Sequence, residues 1–256
     1  MNIEYVCLTN SDLELKNNLL RSENISEIDL KIIKGAKNAS KALNDVINLS
    51  KSDYLIIVHQ DVFLPQNWQD LLKLRLEELN TLDPKWAVAG PFGRSEKLKK
   101  NVGCVYSSSL GGIVGNRISE SIEVDSLDEL AIFINMKSGI NFEPNLPSFH
   151  LYGTEIILIA KSMGFKSYAV NFPLVHNDKF KPGLGLGFFK SYLYMRKKWK
   201  NSLPITTPVT IIKRDLRHIL KGYYFLFSTK KNRKLQSRCH MENPEIYWEE
   251  YLNLRK

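Results

Sequence analysis

Residues 54–65 read Tyr-Leu-Ile-Ile-Val-His-Gln-Asp-Val-Phe-Leu-Pro. The first five residues, Tyr54 to Val58, form a continuous apolar run with polar residues on both sides. This pattern is typical of a strand that is buried on both faces of a parallel sheet. His59 and Asp61 follow two residues apart, so their side chains point the same way if the backbone is extended. In open α/β sheets, ligands bind at this carboxyl edge of the strands.

The segments on either side of this run alternate between strand and helix patterns. Short β-rich runs predict further strands at Ile3–Leu8, Leu30–Ile33 and Trp86–Ala89. Apolar residues at helical spacing predict helices at Leu13–Leu20, Ala39–Leu49 and Asn67–Leu79. This alternation predicts an α/β fold with a mostly parallel central sheet flanked by helices.

The second half of the chain has a less regular pattern. Four glycines and three serines over Gly103–Arg117 predict a long loop or a hairpin. Short strands are predicted at Ile122–Val124 and Ala131–Asn135, and a helix at Glu155–Met163 that stops at Gly164. An amphipathic helix is predicted from Ile211 to Phe227.

The 256 residues are 43% hydrophobic, enough for one substantial core plus a smaller appendage. The longest apolar runs are far below the roughly 20 residues that span a bilayer, and the first residues lack the features of a signal peptide. Cys7, Cys104 and Cys239 are odd in number and widely scattered, which argues against a disulfide framework or a zinc site. We therefore expect a cytoplasmic protein.

The net charge of +9 is unevenly distributed. Residues 178–256 contain 18 Lys and Arg against 6 Asp and Glu, a balance of +12, which leaves −3 for residues 1–177. We therefore expect an α/β domain over residues 1–180 and a basic, aromatic, mainly helical extension over residues 181–256. Charge alone fits an anionic partner for the extension and a merely solvated helical face about equally well.

His59 and Asp61 carry residue types that suit a metal site. Mg²⁺ or Mn²⁺ takes carboxylate and phosphate oxygens as ligands, with an imidazole as a further candidate. The alternative is that Asp61 caps the following helix and that His59 is a structural residue. His176, at the end of a later predicted strand, is usually structural in such a position, but it would supply a further ligand to a metal site.

The segment 142–156, Phe-Glu-Pro-Asn-Leu-Pro-Ser-Phe-His-Leu-Tyr-Gly-Thr-Glu-Ile, places His150 and Glu155 where a loop turns into a helix. Glu155 suits a general base only if other contacts raise its pKa, and otherwise it is an ordinary residue of a helix N-terminus. The carboxylates of residues 125–129 need solvent, a cation or ligand hydroxyls around them.

The ordered set of these motifs resembles the GT-A glycosyltransferases, and most closely a bacterial family-2-like group in which His-Gln-Asp replaces the usual Asp-x-Asp. The resemblance covers residues 1 to about 180. Its elements are the helix that carries Asn38 and Asn44, HQDVFLP at 59–65, WAVAGPFG at 86–93, VDSLDE at 124–129, FEPNLPSFHLYGTEI at 142–156 and the late His176.

This resemblance implies a role for each matching residue. Asp61 matches the second Asp of Asp-x-Asp, which coordinates a divalent cation (Mn²⁺ or Mg²⁺) on the donor diphosphate, and His176 completes the metal shell. Glu155 matches the acidic position that deprotonates the acceptor hydroxyl, with His150 as a rival base. Substrate contacts are expected at His59, Asn38, Asp128, Glu129 and, from the loop after His176, Lys181.

The implied enzyme is a hexosyltransferase-like protein of polysaccharide biosynthesis. It moves a sugar from a nucleotide-diphosphosugar to a glycan or lipid-linked acceptor, with metal assistance and inversion. The basic extension suits peripheral contact with the inner face of a membrane, and no nucleic acid is expected because no reader motif is recognisable.

Two alternatives remain at this stage. One is a catalytically silent sugar-nucleotide-binding module, because Tyr-Gly-Thr-Glu at 152–155 departs from the family's usual acidic motif. The other is a nucleotidyltransferase, which normally has a Gly-rich phosphate loop that Thr9-Asn10-Ser11 does not provide.

Overall fold

A computed structural model describes residues 1–178, 185–217, 219–220, 224 and 243–253. Its α-helices are α1 (Asp12–Asn17), α2 (Ala39–Leu49), α3 (Trp68–Leu82), α4 (Tyr152–Ser162), α5 (Gly185–Lys198) and α6 (Pro244–Asn253). Its strands are β1 (Ile3–Thr9), β2 (Leu30–Lys34), β3 (Tyr54–Val58), β4 (Val62–Phe63), β5 (Trp86–Gly90), β6 (Phe92–Ser95), β7 (Lys100–Ser107), β8 (Gly112–Asn116), β9 (Ile122–Glu123), β10 (Ser126–Leu127), β11 (Ala131–Asn135), β12 (Lys166–Ala169), β13 (Val175–His176), β14 (Ile205–Thr206) and β15 (Ile211–Ile212).

A mixed seven-stranded sheet forms the centre of the molecule, in the order β2-β1-β3-β11-β5-β12-β9. β1 pairs in parallel with β2 and β3, and β12 pairs in parallel with β5. β11 lies between β3 and β5 and runs antiparallel to both, as β9 does to β12. Five of the seven strands therefore run in one direction, which confirms the predicted α/β class with a mostly parallel sheet.

Helices cover both faces of this sheet. Leu55 and Ile57 of β3 pack in one cluster with residues of α2 and α4, whereas Ile56 and Val58 pack in another with residues of α1 and α3. Successive side chains of a strand point to opposite faces, so β3 needs apolar residues at every position. All five of its residues are buried, which explains the unbroken apolar run.

A second sheet, β10-β6-β7-β13-β4 with β8 paired to β7, takes two of its six strands, β7 and β8, mainly from the segment predicted as a loop or hairpin. β7 and β8 form an antiparallel hairpin. Gly103 has φ +75°, and a Cβ there would lie 2.0 Å from the carbonyl oxygen of Pro91. Gly115 has φ +98°, and its Cβ would lie 2.3 Å from the Gly103 carbonyl oxygen. These two glycines therefore permit close approaches between neighbouring backbone segments that a side chain would block.

The described parts of the C-terminal region pack against the body of the protein. Tyr192 and Met195 of α5 are fully buried in the same cluster as α2 and α4, and α6 places Tyr247 against the second sheet. The boundary at residue 181 stays a prediction. None of the helices within the described ranges combines the length and apolar character needed to cross a bilayer.

The predicted helix from Ile211 is wrong at its start. Ile211–Ile212 is strand β15, which pairs antiparallel with β14. β-branched residues dominate the stretch 205–212, and they favour extended backbone. Most of the remaining stretch to Phe227 lies outside the described residues.

Candidate metal centre and surrounding acidic residues

Two chain segments that are distant in sequence meet at the carboxyl end of β3. The backbone N–H of Asn177 donates to the carbonyl oxygen of Asp61 at 2.9 Å, and β13 pairs with β4 so that His176 lies opposite Val62. The backbone N–H of His59 donates to the carbonyl oxygen of Leu130 at 3.0 Å. This pairing brings His176 beside the His59–Asp61 segment.

His59, Asp61 and His176 form a cluster at this point, which we call the metal cluster. His59 Nδ1 is hydrogen-bonded to Asp61 Oδ1, and His176 Nε2 lies 3.5 Å from Asp61 Oδ2. One ligand atom from each residue lies within 4.8 Å of the other two. Asp61 is buried and the two imidazoles are half-buried. Two imidazole nitrogens and a carboxylate oxygen are a donor set that suits a divalent transition metal such as Mn²⁺.

The structure decides against the alternative role for Asp61. Helix α3 begins at Trp68, and its N-cap residue is Asn67. Asp61 therefore does not cap this helix, and its carboxylate contacts the two histidines.

Charges within the metal cluster shift the pKa values of its members. Burial of Asp61 opposes its ionisation, but the neighbouring imidazoles of His59 and His176 hold its pKa well below its usual range. Burial of His176 opposes its protonation, but Asp61, then Asp178 and Asp128, raise its pKa to about 9. A cation that binds here would take the ionised carboxylate as a ligand and would displace the proton of His176, because a histidine must be neutral to bind a metal.

Asp178, a residue for which the sequence alone predicted no role, lies next to His176 of the metal cluster. Its Oδ1 lies 3.7 Å from His176 Nδ1. It also accepts hydrogen bonds from the hydroxyl of Ser107 at 3.1 Å and from the backbone N–H of Ser109 at 3.2 Å. A carboxylate that orients a metal-binding histidine is a common arrangement. The signal in the sequence was an Asp two residues after His176.

Gln60, between the two predicted ligands, joins the ends of two parallel strands. Its Oε1 accepts hydrogen bonds from Thr9 Oγ1 at 2.6 Å and from the backbone N–H groups of Asn10 and Ser11 at 3.0 and 3.2 Å. The sequence analysis assigned Gln60 no role. The contact holds the loops after β1 and β3 together at the carboxyl edge of the sheet.

Asp128, on the loop between β10 and β11, interacts electrostatically with the metal cluster, and Glu129 beside it interacts with Asp128. Burial raises the pKa of Asp128, whereas the charges of His176 and His59 act in the opposite direction. Burial, and then the charge of Asp128, raise the pKa of Glu129 to about 8. Of the predicted 124–129 segment, Asp128 therefore lies within electrostatic range of the metal cluster.

Gly153 connects this acidic pair to the start of α4. Its backbone N–H donates to Glu129 Oε1 at 3.2 Å. A Cβ at this position would lie 2.9 Å from the carbonyl oxygen of Leu127 and 3.3 Å from Glu129 Cγ. Only glycine therefore lets α4 approach the acidic loop this closely.

The raised pKa of Glu129 predicts a pH dependence of stability. Between the ordinary value of 4.5 and about 8, native Glu129 keeps a proton that the unfolded chain has released. The free energy of unfolding should therefore fall as pH rises through this window, by at most about 1.4 kcal/mol per pH unit from this group. Glu129→Gln should remove that part of the slope. Urea unfolding of both proteins in EDTA at about pH 5 and about pH 8 measures it, and equal slopes would contradict the assignment.

Glu155, the base that the resemblance implies, has buried partners in the structure. It is fully buried, its Oε1 lies 2.6 Å from Lys198 Nζ, and it accepts a hydrogen bond from Trp199 Nε1 at 3.3 Å. Lys198 also pairs with Glu143. Burial raises the pKa of Glu155 against the effect of Lys198. Among the described residues Glu155 Oε2 has no hydrogen-bond partner. These contacts anchor the end of α5, and a role as base stays a prediction.

His150 lies beside α5. Its ring meets that of Phe188 edge-on, with centroids 5.8 Å apart. Ser148 and Leu151 on either side have φ of +74° and +67°. Left-handed backbone at residues other than glycine costs about 1–3 kcal/mol and is frequent at ligand-binding sites. The loop is thus held in a strained form, and a role for His150 as base stays a prediction.

Asn38 and Lys181 were predicted to contact substrate. Asn38 caps α2 by accepting a hydrogen bond from the backbone N–H of Lys41 at 2.9 Å, and its Nδ2 donates to the carbonyl oxygen of Leu146 at 2.7 Å. These contacts account for Asn38 without a ligand, and substrate binding by it stays a prediction. Lys181 lies outside the described residues.

No known protein-family profile matches the chain. Over 129 residues it is 30% identical to a Fuscovulum blasticum protein described as ATP synthase subunits region ORF 6, a match that covers 49% of this chain and 52% of that protein. The chain thus spans about half the length of this curated relative.

The solved structures that are similar to this chain include three proteins of low identity. A197 from STIV is 14% identical, with a TM-score of 0.40 over 68% of this chain and 83% of that one. The mannosyltransferase PcManGT from Pyrobaculum calidifontis, in complex with GDP-Man and Mn²⁺, is 8% identical, with a TM-score of 0.42 over 77% and 60%. TarS from S. aureus is 12% identical, with a TM-score of 0.45 over 77% and 39%.

Proposed function

We propose that this chain is a GT-A-type glycosyltransferase that uses a divalent cation. It would transfer a hexose from a nucleotide-diphosphosugar to a hydroxyl of a glycan or lipid-linked acceptor, in cytoplasmic polysaccharide assembly. The observation that carries the proposal is the metal cluster, in which His59, Asp61 and His176 meet at the carboxyl end of β3. The ordered motifs that resemble GT-A enzymes support the same assignment.

The three residues of the metal cluster would jointly coordinate the cation. Asp61 would be the ionised ligand, and the two further ligands would be His59 and His176, which lies within ion-pair distance of Asp178. A bound Mn²⁺ or Mg²⁺ supplies Lewis-acid stabilisation of the charge that develops on the leaving diphosphate. Because Gln60 ties the loops after β1 and β3 together, the site keeps its shape before any ligand arrives.

Glu129 is the residue that we assign to the acceptor proton. Its pKa of about 8 lies within about one unit of neutral pH, which suits a general base. The Gly153 N–H orients its carboxylate. Burial also raises the pKa of Glu155, but its Oε1 is paired with Lys198. In a single displacement, Glu129 takes the hydroxyl proton as the acceptor oxygen bonds to the anomeric carbon and the diphosphate leaves, so the product is inverted.

A silent sugar-nucleotide-binding module is the second candidate. The observation that favours it is the ion pair between Glu155 and Lys198, which occupies the acidic position that the resemblance assigns to the base. Such a module would bind a donor and cation but release no nucleotide. Turnover in the presence of acceptor extracts, followed as nucleotide diphosphate release, separates the two candidates.

A thermal-shift experiment tests the proposed donor and metal. The protein is heated with a panel of UDP- and GDP-sugars, each with MnCl₂ or with EDTA. We expect one donor to raise Tm by about 5–10 °C at 100-fold excess over its Kd, and only with Mn²⁺. Free UDP and GDP serve as controls for the sugar. Stabilisation of equal size in EDTA, or none with any donor, would contradict the proposal.

A further inference from the structure

A basic groove lies between the end of α5 and the chain that leaves β15. It has a volume of about 530 Å³ and is lined by Arg196, Lys197, Lys200, Asn201, Leu203 and Arg214. Four of these side chains are cations, and the other two carry no charge. Like charges gathered in a concave surface attract anions and raise their local concentration.

The two walls of this groove are tied together by hydrogen bonds. Arg196 donates from Nε to the carbonyl oxygen of Arg214 at 2.9 Å, and from Nη2 to the same oxygen. The hydroxyl of the fully buried Tyr192 accepts from the backbone N–H of Lys213 at 3.0 Å and donates to the carbonyl oxygen of Ile211 at 3.4 Å. The groove is therefore formed before a ligand binds, which lowers the entropy cost of binding.

Exposed apolar side chains occur close in sequence to the residues that line the groove. Val209 and Ile211, in the hairpin that leads to Arg214, are 58% and 37% exposed, and Leu220 beyond it is 54% exposed. Basic residues next to exposed apolar residues are typical of surfaces that bind anionic bilayers. Single-stranded nucleic acid, in contrast, binds where bases stack on aromatic rings, and the groove lining contains none among the described residues.

We propose that this groove binds the phosphate-bearing headgroup of an anionic phospholipid, while Val209 and Ile211 enter the bilayer interface. The proposal goes beyond sugar transfer, because it concerns a surface separate from the metal cluster. Binding to lipid requires neither donor nor metal, so its test is independent of the proposed enzyme activity.

Vesicle sedimentation tests the proposal with the full chain in EDTA. Vesicles of phosphatidylcholine alone are compared with vesicles that also contain phosphatidylglycerol. We expect the protein to bind only the second kind. The double variant K197E/K200E should bind them about 30-fold more weakly or worse, because each basic residue near an anionic surface contributes about a factor of five.

The matched control is K41E/K51E, which makes the same change in net charge at exposed lysines of the N-terminal half. We expect it to weaken binding less than about threefold. Val209→Ser tests the apolar part and should weaken binding at high salt as well as at low salt. All of these side chains are exposed, so a melting curve verifies that each variant folds.

Three outcomes would overturn the proposal. The first is no binding to phosphatidylglycerol vesicles. The second is an equal loss in K197E/K200E and in the control K41E/K51E, which would show a general effect of net charge. The third is that a single-stranded oligouridine binds through Lys197 and Lys200 while vesicles do not, which would assign the groove to nucleic acid.

Discussion

Asp61→Asn is expected to lower kcat/KM for sugar transfer by about 10³-fold or more. Asn has the shape of Asp but no charge, so the metal cluster would lose its ionised ligand. The variant should fold, because removal of the anion also removes the largest of the interactions that raise the pKa of His176, so the buried histidine keeps a proton less readily. Nucleotide release from the donor found by thermal shift measures the loss, and a Mn²⁺ titration of Tm measures the metal affinity.

Asp70→Asn is the matched control for this prediction. The Asp70 side chain is 84% exposed on α3 and forms only a loose pair with Lys73 at 3.9 Å. The same chemical change there should leave activity and Mn²⁺ affinity unchanged. If Asp61→Asn keeps full activity, or if the wild-type protein works equally well in EDTA, the metal has no part in the reaction.

Glu129→Gln is expected to lower kcat by about 10²- to 10⁴-fold, the usual contribution of a general base. Gln can still accept the hydrogen bond from Gly153, so the loop should keep its position and the KM for the donor should change little. In the wild-type protein kcat should rise with pH up to about 8, as Glu129 loses its proton. The variant should lack this rise, whereas replacement of a residue with a purely structural role would leave the pH dependence of kcat unchanged.

Glu155→Gln makes the same chemical change at the position that the sequence favoured. There we expect a loss of stability rather than of chemistry, of about 1–3 kcal/mol, because the fully buried Glu155 side chain gives up its charge-assisted hydrogen bond with Lys198, which keeps Glu143 as a partner. Urea unfolding measures this loss, and kcat at low temperature should fall less than about tenfold. If Glu155→Gln loses kcat while Glu129→Gln keeps it, the base is Glu155.

The central sheet could be predicted because its signal is local. The five apolar residues of β3 and the helical spacing over 39–49 lie within single elements, and both elements begin and end where they were predicted. The second sheet could not be recognised in the same way. Gly103 and Gly115 are typical loop residues when seen in the sequence. Glycine is required there because the Pro91 carbonyl lies close to Gly103 and the Gly103 carbonyl lies close to Gly115.

The sequence by itself determined the α/β class, the position of Asp61 at the end of a buried strand and the concentration of positive charge after residue 177. These properties follow from the composition and periodicity of short segments. Tertiary structure alone decided that His176 lies beside Asp61 and Asp178. It also decided that Glu155 pairs with Lys198 and that burial raises the pKa of Glu129 to about 8. Those facts depend on which strands pair and which side chains become buried when distant segments meet, and neither can be predicted from a short stretch of sequence.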